Sequence, residues 1–264
     1  MSGYFGTQMQ KRLQAQAESS AEFIRMTPGA CQAGRMMGCD DPDRLGWEQI
    51  NAFLSRDGVC GFRLIAASSA DELRSRLSER GCRFDAWDVF IADRASALTA
   101  SEAILSRGLP EGLRELDSPT DPDSEFTVRI QTLMGATGVV PFSGSLLAGI
   151  VGPAVTPVVG DLEGNVVAAA HGYLPHNIHS NYQRHAWGGL VAVDETRRGF
   201  GLGSYINAWL IARVFRELDA THIYELVSST NIVSRRMVEA CGLRHTPSLV
   251  CGLATSNDNA RFTR

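Results

Sequence analysis

Between positions 190 and 204 an apolar run, Leu190-Val191-Ala192-Val193, passes through Asp194-Glu195-Thr196-Arg197-Arg198 into Gly199-Phe200-Gly201-Leu202-Gly203-Ser204 and then into an amphipathic helix. This strand, turn and helix in direct succession restrict the fold more than any other stretch of the chain. The first turn of a helix presents N–H groups that have no intrahelical partner, and the helix dipole adds partial positive charge there. A diphosphate is the natural occupant of such a position. Glycines let the ligand oxygens approach the backbone and tolerate positive φ, and Arg198 adds a cation beside the turn.

Other glycine-loop readings fit less well. A dinucleotide fingerprint needs G-x-G-x-x-G, whereas the spacing here is G-x-G-x-G. A P-loop needs Gly-Lys-Ser/Thr, and the only lysine is Lys11. Downstream, residues 222–228 read as a second strand. They are followed by Asn231-x-x-Ser234-x-x-Met237-Val238-Glu239-x-x-Gly242-Leu243. The strand at 190–193, the Arg198-x-x-Gly201-x-Gly203 turn, its helix and this second motif together resemble the acetyl-CoA-binding region of the GNAT superfamily of N-acetyltransferases. The resemblance covers residues 110–252 and is clearest over 188–244.

It implies an α/β fold of the GNAT acyltransferase type, a mixed, mostly antiparallel sheet flanked by helices. It implies acetyl-CoA as acyl donor and a primary amine of a small molecule or peptide as acceptor. Leu190, Val191, Ala192 and Val193 would face the pantetheine arm. Arg198, Gly199, Gly201, Leu202, Gly203 and Ser204 would hold the pyrophosphate, with Asn231 and Ser234 completing the cofactor site. The family's general acid is a tyrosine seven residues after the motif asparagine; that position is Val238 here. A non-catalytic acyl-CoA-binding sensor or scaffold is therefore the alternative, and transfer of a longer acyl chain past Phe142, Leu146 and Leu147 is a third reading.

At 264 residues the chain has room for two modest domains. The breaker cluster Pro119-Thr120-Asp121-Pro122-Asp123, with a strand at 112–117 before it and a helix at 124–137 after it, places the start of the acetyltransferase domain at 109. Residues 109–264 then form that domain. A short helix at 143–150 and an antiparallel hairpin of 154–162 and 165–174, turning at Glu163-Gly164, follow. After the glycine turn, Leu202, Ile206, Leu210, Val214 and Leu218 recur every four residues as a core stripe.

Residues 1–108 read as a polar helix at 8–23, a helix at 44–57, a strand at 61–67, a helix at 69–81 opening with Ser69-x-x-Glu72, and a strand at 85–92. They form either an unrelated N-terminal α/β extension or a degenerate GNAT-like half-domain without a glycine turn of its own.

A net charge of −4 excludes a nucleic-acid binder that relies on clustered positive charge. No apolar run reaches membrane-spanning length, and residues 1–26 lack the apolar core of a signal peptide. Six cysteines without a C-x-x-C pair are expected to be reduced and buried, and the cytoplasm is the expected location. A homodimer is compatible with the reading.

Acetyl transfer needs a neutral amine, and an amine with pKa near 10 requires roughly 4 kcal/mol of help at neutral pH. Steps of two back from Val193 put Val191, Gly189, Trp187 and His185 on one strand face. His185 is the candidate base, with a pKa suited to the task. Tyr173 and His171 on the neighbouring strand, and Glu225 on the strand after the helix, are its rivals. His176 and His179 stand in a stretch read as an exposed loop that lines the acceptor entrance; no metal site is expected there.

Overall fold

The chain enters its sheet through a hairpin of β1 (Ala30–Ala33) and β2 (Met36–Cys39), which the sequence reading leaves out. Buried residues dominate both strands, so there is no polar alternation to reveal them. The computed structural model describes residues 3–256. Further strands are β3 (Val59–Ala66), β4 (Cys82–Asp93), β5 (Leu113–Leu116), β6 (Ala154–Val155), β7 (Val158–Asp161), β8 (Val166–Tyr173), β9 (His185–Val193), β10 (His222–Val227) and β11 (Arg244–Ser256). Among the described residues all eleven join one sheet, ordered β1-β2-β3-β11-β4-β10-β9-β8-β7-β5, with β6 pairing β8. It is mostly antiparallel; β2–β3 and β9–β10 run parallel.

Helices cover both faces. On one, α6 (Arg94–Leu105), α9 (Leu202–Glu217) and α10 (Ile232–Ala240) pack against one another and the central strands. The expected stripe of α9 is buried along its length, with Leu210 and Val214 fully enclosed. On the other face lie α7 (Glu125–Ala136) and α8 (Gly144–Leu147), each opened by a serine whose hydroxyl accepts a backbone N–H, Ser124 and Ser143. The N-terminal third adds α1 (Gln8–Ser19), α2 (Ala21–Met26), α3 (Pro42–Leu45), α4 (Trp47–Asp57) and α5 (Ala70–Ser78).

Several elements break where the sequence reading runs them together. The helix expected at 8–23 divides at Ser20, and the one at 44–57 divides at Gly46, whose φ is 84°. Pro157 separates β6 from β7. The capping signal at Ser69 is not used. Ser69 ends a short 3₁₀ turn with φ −96° and ψ −4°, so its hydroxyl is not aimed at the helix.

The expected division at 108/109 falls in the connection between α6 and β5 but does not interrupt the sheet. β4 lies between β11 and β10, and α6 packs on α9. Residues 1–108 are thus no separately packed unit, because their strand β4 supplies the antiparallel neighbour that β10 needs. The two parts are nonetheless related in layout. Both β3 and β9 carry a leucine at φ 51°, Leu64 and Leu190, and each runs through a 3₁₀ turn into a helix.

Candidate active site

β9 and β10 are hydrogen-bonded in parallel only from the His185/His222 pair to the Gly188/Glu225 pair. Beyond Gly188, β9 leaves its neighbour. The cause is local: Leu190 holds φ 51°, and the pairing of β9 with β8 shifts register between Ala169 and His171. This is a β-bulge, which bends and twists the strand. A leucine in that conformation stores strain on the order of 1 to 3 kcal/mol. The edge of β9 from Gly189 onward consequently faces a gap, where an extended ligand with its own amide groups fits as an added strand.

The bulge also breaks the simple alternation expected for this strand. Trp187 and Leu190, which a regular strand would place on opposite faces, line the same cavity of about 270 Å³, together with Leu226 of β10.

At the C-terminal end of β9 the chain makes a 3₁₀ turn, Glu195–Arg197, steadied by the Asp194 carboxylate accepting from Thr196 N–H at 2.9 Å. Gly199 and Gly201 follow at φ 87° and 81°. A Cβ at either position meets nothing within 4 Å, so it is the backbone conformation, not crowding within the protein, that calls for glycine. Gly201 is the N-cap of α9 and no side chain accepts from the helix's first turn. Those N–H groups are available to an anion. Arg198 stands beside them, its Nε donating to Val193 O at 3.3 Å and its guanidinium 3.4 Å from Glu195. A second cavity of about 410 Å³ runs along Phe200, Gly201 and Ser204 to Arg107. Two positive-φ glycines, an uncapped helix start and a strand gap in line with it suit a diphosphate carrying a long amide-bearing arm.

Asn231 is exposed and spends its side chain within its own helix, Oδ1 accepting from Ser234 N–H at 3.0 Å to cap α10. Val238 is buried in the core and offers no acid.

The three candidate catalytic residues lie in different surroundings. His185, at the start of β9, stacks on His222 with ring centroids 4.4 Å apart and meets Tyr182 edge-on at 5.2 Å. Burial, then repulsion by His222 and His176, lowers its pKa to about 4, so it is neutral at neutral pH but a weaker base than an ordinary histidine. Tyr173 is buried against Trp187 and Phe142, and its hydroxyl already has two backbone partners. It accepts from Gly34 N–H at 2.7 Å and donates to Gln32 O at 2.9 Å. Tyr173 therefore pins the β1–β2 turn and does not act as a free base.

Glu225 points to the other side of the sheet. It is enclosed against α9, accepts from Asn207 Nδ2 at 2.9 Å, and burial raises its pKa to about 7. Period-two alternation sets it opposite Tyr224 and Trp187, which is why it does not join the cavity. His171, the remaining rival, is fully buried, bonded to Thr156 at 2.9 Å, and burial lowers its pKa to about 3.

The segment around His176 differs most from the sequence reading. His176 and Asn177 are buried, not part of an exposed loop. Asn177 Nδ2 donates to the carbonyls of Ile24, Thr27 and Ala30. His176 Nδ1 lies 2.6 Å from Asp40 Oδ2, its Nε2 lies 3.2 Å from the Tyr224 hydroxyl, and Ser180 donates to the same Asp40 oxygen at 2.6 Å. Cys31 joins Asp40 and His176 within 4.8 Å, but both ring nitrogens of His176 are already in use. The sequence reading also passes over Arg35 and Arg63, which line the cavity at Trp187 and are each more than nine-tenths buried. Burial lowers the Arg35 pKa to about 10, which leaves it charged at neutral pH. No spacing in the sequence signals these residues, since β1, β2 and β3 bring them in from more than 100 positions away. All six cysteines are free and buried, and no described helix is long and apolar enough to cross a membrane.

Comparison with known proteins agrees with this geometry. Residues 135–243 match the acetyltransferase (GNAT) family model. A search of curated proteins finds no match. Among solved structures, a GCN5-related N-acetyltransferase from Kribbella flavida superposes with a TM-score of 0.58 at 12% identity, covering 93% of this chain and 96% of the other. A protein from Drosophila gives 0.60 at 10% identity over 95% and 90%. A tandem GNAT protein from the clavulanic acid biosynthesis pathway gives 0.53 at 12% identity over 92% and 89%. At these identities the likeness is one of fold, and the family match identifies the stretch 135–243, with β9, α9, β10 and α10, as similar to a GNAT acetyltransferase domain.

Proposed function

We propose that the chain transfers an acetyl group from acetyl-CoA to an amine, in the cytoplasm, by direct attack within a ternary complex. The observation that carries this reading is the alignment of the β9–β10 gap with the uncapped start of α9. Acetyl-CoA supplies an activated acyl carbonyl on a thiol leaving group. Residues 190–193 offer backbone groups along the gap. The N–H groups of the turn from Gly199 to Ser204 face the diphosphate, and Arg198 adds its charge. The acceptor occupies the cavity at Trp187 and Leu190. Six free, buried cysteines support a reducing compartment.

In the reaction the amine nitrogen bonds to the thioester carbon and the C–S bond breaks. The amine proton passes to water ordered by neutral His185, and the departing thiolate takes a proton from solvent. An unassisted thiolate is tolerable because a thiol of pKa about 8.5 leaves readily. The cysteines do not compete as acyl carriers: burial raises the thiols of both Cys241 and Cys251, to about 12 and about 11.

Release of free CoA across a panel of amines tests the reading. At least one amine should be acetylated, and log(kcat/KM) should climb with unit slope from about pH 5 toward the amine's own pKa. No inflection near 6.5 is expected, because His185 titrates at about 4. His185→Ala should lower kcat/KM by about 10²-fold or more and leave acetyl-CoA affinity intact. An inflection near 6.5 that survives in the variant removes His185 from the role. A panel in which no amine is acetylated contradicts the transfer itself.

The residues before 109 fit a degenerate GNAT-like half. Where the C-terminal half has a gap after β9, β11 fills the equivalent edge of β3 and Cys251 Sγ accepts from Leu64 N–H at 3.1 Å. The pocket at the start of α5 is lined by Asp40, Asp41, Asp43 and Glu72, which repel a diphosphate.

A further inference from the structure

Arg35 and Arg63 stand on the wall of the acceptor cavity with no ion pair among the described residues. Arg63 Nε has no hydrogen-bond partner, and Arg35 has a single long bond to Val140 O at 3.2 Å. Trp187 Nε1, on the same wall, also lacks a partner. Asp40, the buried carboxylate nearby, gives its Oδ2 to His176 and Ser180 and pairs with neither arginine. The chain carries a net charge of −4, so acids are plentiful but none is placed here. A buried guanidinium without a counter-charge is expensive to keep, and replacing such a group with an apolar one is often neutral or stabilising. Two unpaired donors, Arg63 Nε and Trp187 Nε1, and an Arg35 guanidinium held by one carbonyl, all on one aromatic-walled cavity, instead describe a site completed by an anion from outside.

We infer that the cavity between Trp87, Trp187, Leu190 and Leu226 binds a carboxylate carried by one of the two reactants, clamped by Arg35 and Arg63, with an apolar or aromatic body beside it. The inference rests on the acyltransferase reading and names the substrate class: a carboxylated amine, or an acyl donor with a distal carboxylate. It also gives the N-terminal half a task, since both arginines come from it. Arg35 follows the β1–β2 turn that Tyr173 pins, so Tyr173 is a positioning residue for the clamp.

Calorimetry with phenylacetate and with phenylacetamide separates charge from shape on the unaltered protein. Phenylacetate should bind at least about tenfold tighter. Arg63→Met and Arg35→Met should each erase that preference, keep acetyl-CoA affinity, and melt no lower than the parent protein. Turnover then identifies the source. A preference for phenylalanine over phenethylamine with acetyl-CoA, lost in Arg63→Met, puts the carboxylate on the acceptor; a preference for succinyl-CoA over acetyl-CoA, lost likewise, puts it on the acyl group. Equal affinity for the two phenyl probes, or no preference in either turnover pair, overturns the clamp. Intact acetyl-CoA binding in that event leaves the cofactor reading standing.

Discussion

Gly203→Val should bind acetyl-CoA at least about 100-fold more weakly than the parent protein while keeping its fold. The two backbone N–H groups nearest the substitution are expected to lose charge-assisted hydrogen bonds of about 1.5 to 3 kcal/mol each, which gives two or more orders of magnitude. The fold should tolerate the change, because a Cβ at 203 meets nothing nearer than Met237 Sδ at 3.8 Å. Gly201→Ala acts differently. Its φ of 81° is unfavourable for alanine by about 1 to 2 kcal/mol, so the turn itself should shift and misalign the donors. Calorimetry on both variants, with melting curves to show that they are folded, is the check. Undiminished affinity in both would place the cofactor elsewhere.

Asp40→Ala should cost about 2 to 4 kcal/mol of stability, because it leaves hydrogen-bond donors without their acceptor; burial lowers the His176 pKa, so the imidazole is neutral and no charge is stranded. Two groups lose their acceptor at once, the enclosed His176 Nδ1 and the half-buried Ser180 hydroxyl. Melting should fall by about 10 °C, given about 2 to 4 °C per kcal/mol in a chain of this size. Asp40→Asn keeps an oxygen for His176 and should lose less. Asp40 belongs to the N-terminal half and His176 to the segment before β9, so the loss measures how firmly the halves are joined. Urea unfolding within about 0.5 kcal/mol of the parent protein for Asp40→Ala would show that the contact carries little.

The proposed cofactor side was legible in the sequence because its chemistry is local. Strand, glycine turn and helix are contiguous, the glycines permit the positive φ found at Gly199 and Gly201, and the buried stripe of α9 follows from its spacing. The bulge at Leu190 was not legible: nothing in a leucine within an apolar run signals φ 51°, which tertiary packing imposes. The cavity at Trp187, the proposed acceptor side, was hidden for another reason. It is assembled from Arg35, Arg63, Trp87, Trp187 and Leu226, whose meeting depends on β11 and β4 passing between β3 and β10. The histidines show the same limit. His176 stands among Pro175, Asn177 and Asn181, residues typical of a loop, yet it is buried by partners from the other half.

One acetyl-CoA site per chain, formed by the β9–β10 gap and the start of α9, is the claim on which the rest depends. Calorimetric titration of the full chain with acetyl-CoA measures it directly. A stoichiometry of one, abolished in Gly203→Val, is the predicted result; two sites per chain, or no binding at all, contradicts it.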